Sequence, residues 1–270
     1  MEAQNRPAVK TTTIKVAEIG VELWRHGRGR PLVFLHPGDG LDDSMPALID
    51  LARHYEVFAP SHPGFGASEL PKSFRTVDDL AYFYLDFLEE QKLQDAILLG
   101  ISFGAWIAAE IAIKSSERLS GLILADAVGA KFEGPKVREI ADLFSVPQYE
   151  QHQYLYESPT RRTKNFAELP DETLIKLARN FESFALFGWS PTLHNPKLAS
   201  RLPRIGLPTL VLWGANDRVV PPAYGRAFAR RIPHAEFKLI DDAGHYSLVE
   251  QPAEFIAAVD RFVDSLAATQ

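Results

Sequence analysis

Residues 95–112 read DAILLGISFGAWIAAEIA, and within them Gly100, Ser102 and Gly104 form a Gly-x-Ser-x-Gly pattern. A β-rich apolar run precedes the serine and a helix-forming run follows it. In that setting the pattern makes a sharp strand-to-helix turn that exposes a nucleophilic hydroxyl. Such a turn holds its serine in a strained backbone region, where side chains two residues to either side would clash. Glycine at 100 and 104 removes both clashes, and Ala105, Ala108 and Ala109 let the following helix pack close to a sheet. No Lys-Ser/Thr pair follows at phosphate-loop spacing, so the glycines do not read as a nucleotide cradle.

A serine hydroxyl is a poor nucleophile near neutral pH and needs a base beside it, itself oriented by a third group. Of the eight histidines, His245 lies in DDAGHYSLVEQP, on a loop after the last predicted strand. His36 and His62 fall in loops near the carboxyl edge of a sheet, but both precede Ser102. With this kind of elbow the chain order is nucleophile, acid, base, which selects His245. His26, His54, His152, His194 and His234 read as solvated or structural. For the acid, WGANDRVVPP places Asp217 in a turn after a strand, and Asp126, after an earlier strand, competes with it. Asp241 and Asp242 sit too near His245 in sequence to reach around its ring. Turn context and chain order favour Asp217.

The elements that must position these groups alternate regularly. Strands are expected over 12–19 and 21–25, joined at Gly20, and then over 31–35, 56–59, 95–99, 122–125, 209–213 and 236–240. Helices are expected over 76–91, with Thr76 as N-cap, and over 103–114, 222–231 and 252–267. The alternation implies a mostly parallel eight-stranded sheet covered by helices on both faces. Residues 130–204 break the rhythm: helical, rich in aromatics and without a convincing strand, they read as a helical cap inserted into a core formed by 1–129 and 205–270.

The whole composition is that of an ordinary globular protein, 46% hydrophobic and 24% charged over 270 residues. A formal charge of −6 gives no reason to expect nucleic acid or an anionic membrane as partner. Without cysteine there is neither a disulfide framework nor a thiol nucleophile. No apolar run is long enough to cross a bilayer, and the polar start MEAQNRPAVKTTT lacks the apolar region of a secretory signal. The expected location is cytoplasmic.

With Ser102, Asp217 and His245 placed, the chain resembles the α/β-hydrolase fold superfamily, in its serine-nucleophile branch, over nearly its whole length. The resemblance rests on GISFG, on FLHPGDG (34–40) and FAPSHPGFGASE (58–69), and on LILADAVGA, LPTLVLWGANDRVVPP and DAGHYSLVEQPAEF in that order. It carries the catalytic roles onto Ser102, Asp217 and His245. It also implies an oxyanion hole made by the backbone N–H groups of Phe103 and of the third-strand loop. In that loop Pro37 has no N–H to give, so the donor falls to Gly38. Ser61 departs from the family, whose members commonly carry a structural Asp there.

The implied function is a carboxylesterase-like serine hydrolase, cleaving a small to medium, largely apolar ester with water and without metal or organic cofactor. Relatives that open epoxides or displace halide carry Asp at the elbow, which Ser102 argues against. Two alternatives stay open: a C–C bond hydrolase of ring-cleavage diketones, and a small-molecule receptor that keeps the triad. Members of the C–C group usually carry Trp after the catalytic His, where this chain has Tyr246. They also carry a carboxylate-binding Arg in the lid, which Arg161, Arg162 or Arg179 would have to supply. His36, Asp39, Trp189 and Tyr246 are the expected pocket residues, with Asp39 tuning pocket polarity or repelling anionic substrates, or capping the turn or the helix from Ser44; as a nucleophile it lacks the elbow that Ser102 has.

Overall fold

The computed structural model describes residues 10–134, 136–158 and 165–267. Arg161 and Arg162 lie outside the described residues. Eight strands form one sheet: β1 (Thr12–Val16), β2 (Ile19–Gly27), β3 (Pro31–Leu35), β4 (Glu56–Pro60), β5 (Ala96–Ile101), β6 (Leu119–Ala125), β7 (Thr209–Gly214) and β8 (Ala235–Ile240). Their spatial order is β1-β2-β4-β3-β5-β6-β7-β8. The pairs β1–β2 and β2–β4 are antiparallel, and every later pair is parallel.

Strand periodicity sorts the core into two layers. Val33, Leu35 and Leu98 face one cluster, which takes in α2 (Val77–Glu90), α3 (Phe103–Lys114) and α7 (Pro222–Arg231). Leu32, Phe34, Ile97, Leu99 and Ile101 face the other, formed with α1 (Met45–Leu51) and α9 (Pro252–Ala267). Strands β5 and β7 are buried along their whole length, as central parallel strands covered on both faces must be. Helix α2 starts at the expected cap: Thr76 accepts from Asp79 N–H, while the Asp79 carboxylate accepts from Thr76 N–H.

One early expectation is corrected. The first hairpin turns at Ala17–Glu18, not at Gly20, which lies inside β2. Ala17 and Glu18 both have positive φ, 46° and 65°. Two such residues give the backbone twist that matches the right-handed twist of the flanking strands. The turn is chosen by that match even though glycine, the usual resident, is absent.

Between β6 and β7 the described residues carry α4 (Gln148–Leu155), α5 (Asp171–Gly188) and α6 (Leu198–Arg201), and no strand. Helix α5 presents Asn180, Ser183, Phe184 and Phe187 inward. It is tied to the core by Asn180, whose amide donates to the Asp39 carbonyl and whose carbonyl accepts from Gly66 N–H. Two short helices complete the set, α8 (Ser247–Glu250) before α9 and the α6 turn already named. Among the described residues no helix is long and apolar enough to cross a membrane.

Candidate active site

Ser102 sits between β5 and α3 with φ 52° and ψ −112°. A non-glycine residue held there costs on the order of 1–3 kcal/mol, and persists only if its surroundings over-determine it. They do. Its N–H donates to the Ala125 carbonyl, and its own carbonyl accepts from Ala105 and Trp106 N–H. A Cβ on Gly104 would lie 2.0 Å from the Leu35 carbonyl oxygen, and one on Gly100 would lie 2.4 Å from the Gly104 oxygen. The two glycines are therefore steric necessities of the turn.

Strands β7 and β8 deliver the partners on the loops that leave their carboxyl ends. His245 Nε2 is 2.7 Å from Ser102 Oγ, and His245 Nδ1 is 2.8 Å from Asp217 Oδ2. The other Asp217 oxygen accepts from Val219 and Val220 N–H at 2.8 and 3.0 Å. With Asp217 accepting at Nδ1, the ring proton sits there and Nε2 is left to take the serine proton. The exposures of Ser102, Asp217 and His245 are 4%, 4% and 0%. Burial works against a charge on His245, but the Asp217 carboxylate, joined by Asp126 and Asp39, outweighs it, so the imidazole pKa lies above 6.5.

Asp126, the competing acid, is close by but does not hydrogen-bond the ring. Its carboxylate accepts from Gly214 N–H at 2.7 Å and from the Ser247 hydroxyl at 2.6 Å. It thus clamps together the loop that carries Asp217 and the loop that carries His245. Burial, and then repulsion from Asp217, raises its pKa. Glu250 does related work on the other side of the base, accepting from Gly244 N–H and from Glu157 N–H. Sequence reading did not single out Glu250; its only local signal is an acid on the helix that follows the histidine.

The third-strand loop turns tightly, with Gly40 N–H on the Pro37 carbonyl. Gly38 and Ser102 line one cavity of about 150 Å³. Neither Gly38 N–H nor Phe103 N–H has a hydrogen-bond acceptor among the described residues. A Cβ on Gly38 would lie 2.7 Å from the Phe184 ring, so glycine here lets α5 close onto the loop.

The four expected pocket residues divide evenly. Asp39 and Tyr246 line the cavity. His36 does not: it is fully buried, with its ring stacked 3.6 Å from that of His62. Its Nδ1 donates to the Pro37 carbonyl and its Nε2 accepts from His62 N–H, so no ring nitrogen is left for a substrate. Burial holds its pKa down to about 4, keeping the ring neutral as those bonds require. Trp189 also falls outside, 61% exposed and packed on Phe144. It lies five residues beyond Phe184, about 140° around the helix, which turns it away from the cavity. Conversely His152, read as solvated or structural, lines the cavity with Tyr149 and Tyr156. Arg179 is spent on the Gly64 and Ser68 carbonyls.

Ser61 is buried just after β4. Its hydroxyl donates to the Glu22 carboxylate at 3.0 Å, and the same carboxylate oxygen accepts from Ala67 N–H. That carboxylate reaches it from the neighbouring strand β2.

Known proteins resemble the chain along its length. A family model described as the alpha/beta hydrolase family matches residues 32–258. The 2-hydroxymuconate semialdehyde hydrolase of a Pseudomonas sp. is 28% identical, over 96% of this chain and 95% of that one. The poly(3-hydroxyalkanoate) depolymerase of Ectopseudomonas oleovorans is 29% identical, over 84% and 81%. Among solved structures, a thermophilic esterase from Thermogutta terrifontis superposes with a TM-score of 0.77 at 25% identity, over 95% and 99% of the two chains.

Proposed function

The chain belongs to the alpha/beta hydrolase family, and on that premise we propose that it hydrolyses carboxylic esters through an acyl-serine intermediate. The observation that carries the reading is the unbroken chain of hydrogen bonds from Ser102 through His245 to Asp217. In this reading Ser102 Oγ attacks the ester carbonyl carbon while His245 Nε2 takes the hydroxyl proton. The carbonyl π electrons move onto oxygen, where Gly38 and Phe103 N–H stabilise the charge; each such donor is worth about 3 kcal/mol. As the intermediate collapses, the C–O bond breaks and His245 returns its proton to the departing alcohol. Water then attacks the acyl-serine with His245 again as base, releasing the acid and restoring Ser102.

Asp217 holds the imidazole in the right tautomer and stabilises its charged form. The described helices within 130–204 serve as a lid: α4 and α5 supply most of the apolar wall that would receive the acyl or alcohol group. The cavity suits a small to medium, largely apolar substrate. The relative that acts on 2-hydroxymuconate semialdehyde marks C–C bond hydrolysis as the rival chemistry. It would use the same serine and base on a diketone.

Two measurements test the proposal. Mixing excess 4-nitrophenyl butyrate with enzyme and quenching early should leave a butyryl mass increment on the peptide that carries Ser102. If turnover proceeds without any acyl adduct under conditions where deacylation limits the rate, the mechanism is wrong. The second is pH. Because His245 acts as a base only when neutral, and Asp217 raises its pKa, kcat/KM should climb with pH through an inflection above the ordinary value of about 6.5. A profile already flat from pH ~5 upward would remove His245 from the base role.

A further inference from the structure

We propose that the buried pair His36 and His62 positions the oxyanion hole, the His36 ring holding the Pro37–Gly38 peptide so that Gly38 N–H faces the reacting carbonyl. The inference rests on the ester-hydrolase reading above and assigns two positioning residues to that reaction. Neither histidine lines the cavity that holds Ser102. Both are fully buried, His36 just after β3 and His62 just after β4. They act through the backbone.

The hydrogen bonds fix which nitrogen of each ring carries its proton. His62 N–H donates to His36 Nε2 at 2.9 Å, which leaves the ring proton of His36 on Nδ1. That Nδ1 donates to the Pro37 carbonyl at 2.7 Å. His62 Nε2 donates to the His36 carbonyl at 2.9 Å, so its Nδ1 accepts from the Tyr84 hydroxyl on α2. Every ring nitrogen is committed, and the donors all run one way, from Tyr84 through His62 and His36 to Pro37. Burial pushes both ring pKa values down, so each ring stays neutral and keeps the single proton these bonds need.

The Pro37 carbonyl accepts a second bond, from Gly40 N–H at 3.1 Å. The Pro37–Gly38 peptide is trans, hence planar with its carbonyl and its N–H pointing opposite ways. Two donors on the carbonyl therefore set the direction of the Gly38 N–H, away from His36 and Gly40, while Gly38 itself lines the cavity with Ser102. The pair also braces the other donor residue: the His62 ring meets the Phe103 ring edge-on at 5.9 Å. The stacked rings of His36 and His62 thus underlie both residues that would supply an oxyanion N–H. Such donors work because they are aimed before the charge forms.

Two replacements of His36 separate positioning from packing. Asparagine carries its NH₂ at the level of Nδ1 and can still donate to Pro37, whereas glutamine carries its amide at the level of Nε2 and can only accept from His62. With 4-nitrophenyl butyrate, His36→Gln should lower kcat by about 10- to 100-fold and leave KM within about threefold. The oxyanion forms in both acylation and deacylation, so kcat falls whichever step limits. His36→Asn should keep kcat at least about fivefold above that of His36→Gln. Butyl trifluoromethyl ketone provides a second readout. Ser102 Oγ adds to its carbonyl carbon, the hydroxyl proton passes to His245, and the carbonyl π pair becomes an oxyanion in the hole. Its inhibition should weaken in proportion to the fall in kcat. Equal losses in the glutamine and asparagine variants would reduce His36 to packing and overturn the inference, as would a wild-type kcat in His36→Gln. Where His36→Gln does not fold, Tyr84→Phe carries the test: it frees His62 Nδ1 and should lower kcat about three- to tenfold at unchanged KM. An unaltered kcat there overturns the inference. If Ser102→Ala hydrolyses the ester as fast as the wild type does, the ester-hydrolase reading itself has failed, and that outcome is separate.

Discussion

Replacing Ser102 with alanine should lower kcat/KM for a 4-nitrophenyl ester by about 10⁴- to 10⁶-fold while leaving the fold intact. The substitution deletes the one oxygen that His245 Nε2 faces at 2.7 Å, so no acyl-enzyme can form. Alanine keeps the Cβ that already sits at φ 52°, and the backbone bonds to Ala125, Ala105 and Trp106 do not involve the side chain. The residual rate would come from the N–H groups of Gly38 and Phe103 polarising a bound carbonyl toward water. Thermal melts should agree between the two proteins, and steady-state rates on purified material should not. A variant within about tenfold of wild type would mean that the observed hydrolysis does not pass through Ser102.

The second large effect is expected at Asp217, where asparagine should cost about 10⁴-fold in kcat. The amide oxygen can go on accepting from Val219 and Val220 N–H, so the turn survives. The NH₂ group then faces His245 Nδ1 and forces that nitrogen to accept. The ring proton moves to Nε2, which points at Ser102 and can no longer take its hydrogen. Asp126→Asn should behave differently. Its carbonyl oxygen can still accept from Gly214 N–H, and its amide can donate to the Ser247 hydroxyl. The clamp between the two loops is weakened but kept, and a loss of about tenfold or less is expected. Removing this negative charge beside His245 should also move the acid limb of the pH profile downward. Rate and pH profiles of the two variants therefore separate an acid that hydrogen-bonds the ring from one that positions it. If Asp126→Asn were the crippled enzyme, the acid role would move to Asp126.

The exchange between sequence and structure is clearest at the loops around the nucleophile. The elbow was legible because its constraint is local: two glycines, a strand pattern before and a helix pattern after leave little else for Ser102 to do. The start of α2 was legible for a similar reason, since its Thr76 cap and apolar spacing are written within a few residues. The hairpin at Ala17–Glu18 was not. A two-residue turn of ordinary residues gives no glycine signal, and strand twist decides its position.

The sequence by itself determined which three groups come together, Ser102, His245 and Asp217, because chain order and turn sterics restrict them tightly. It also determined the parallel sheet, because both-face burial leaves continuous apolar runs. Only the tertiary structure decided what surrounds those groups. His36 and Trp189 are credible pocket residues by position, yet His36 is locked under the loop by His62 and Pro37, and Trp189 is rotated onto the outer side of α5. Asp39 and His152 reach the cavity from elements far apart in the chain. Asp126 and Glu250 join loops that the sequence leaves unrelated. The physical reason is one of range. Backbone conformation is governed by neighbours within a turn or two, whereas the wall of a cavity is set by which faces of distant helices bury together.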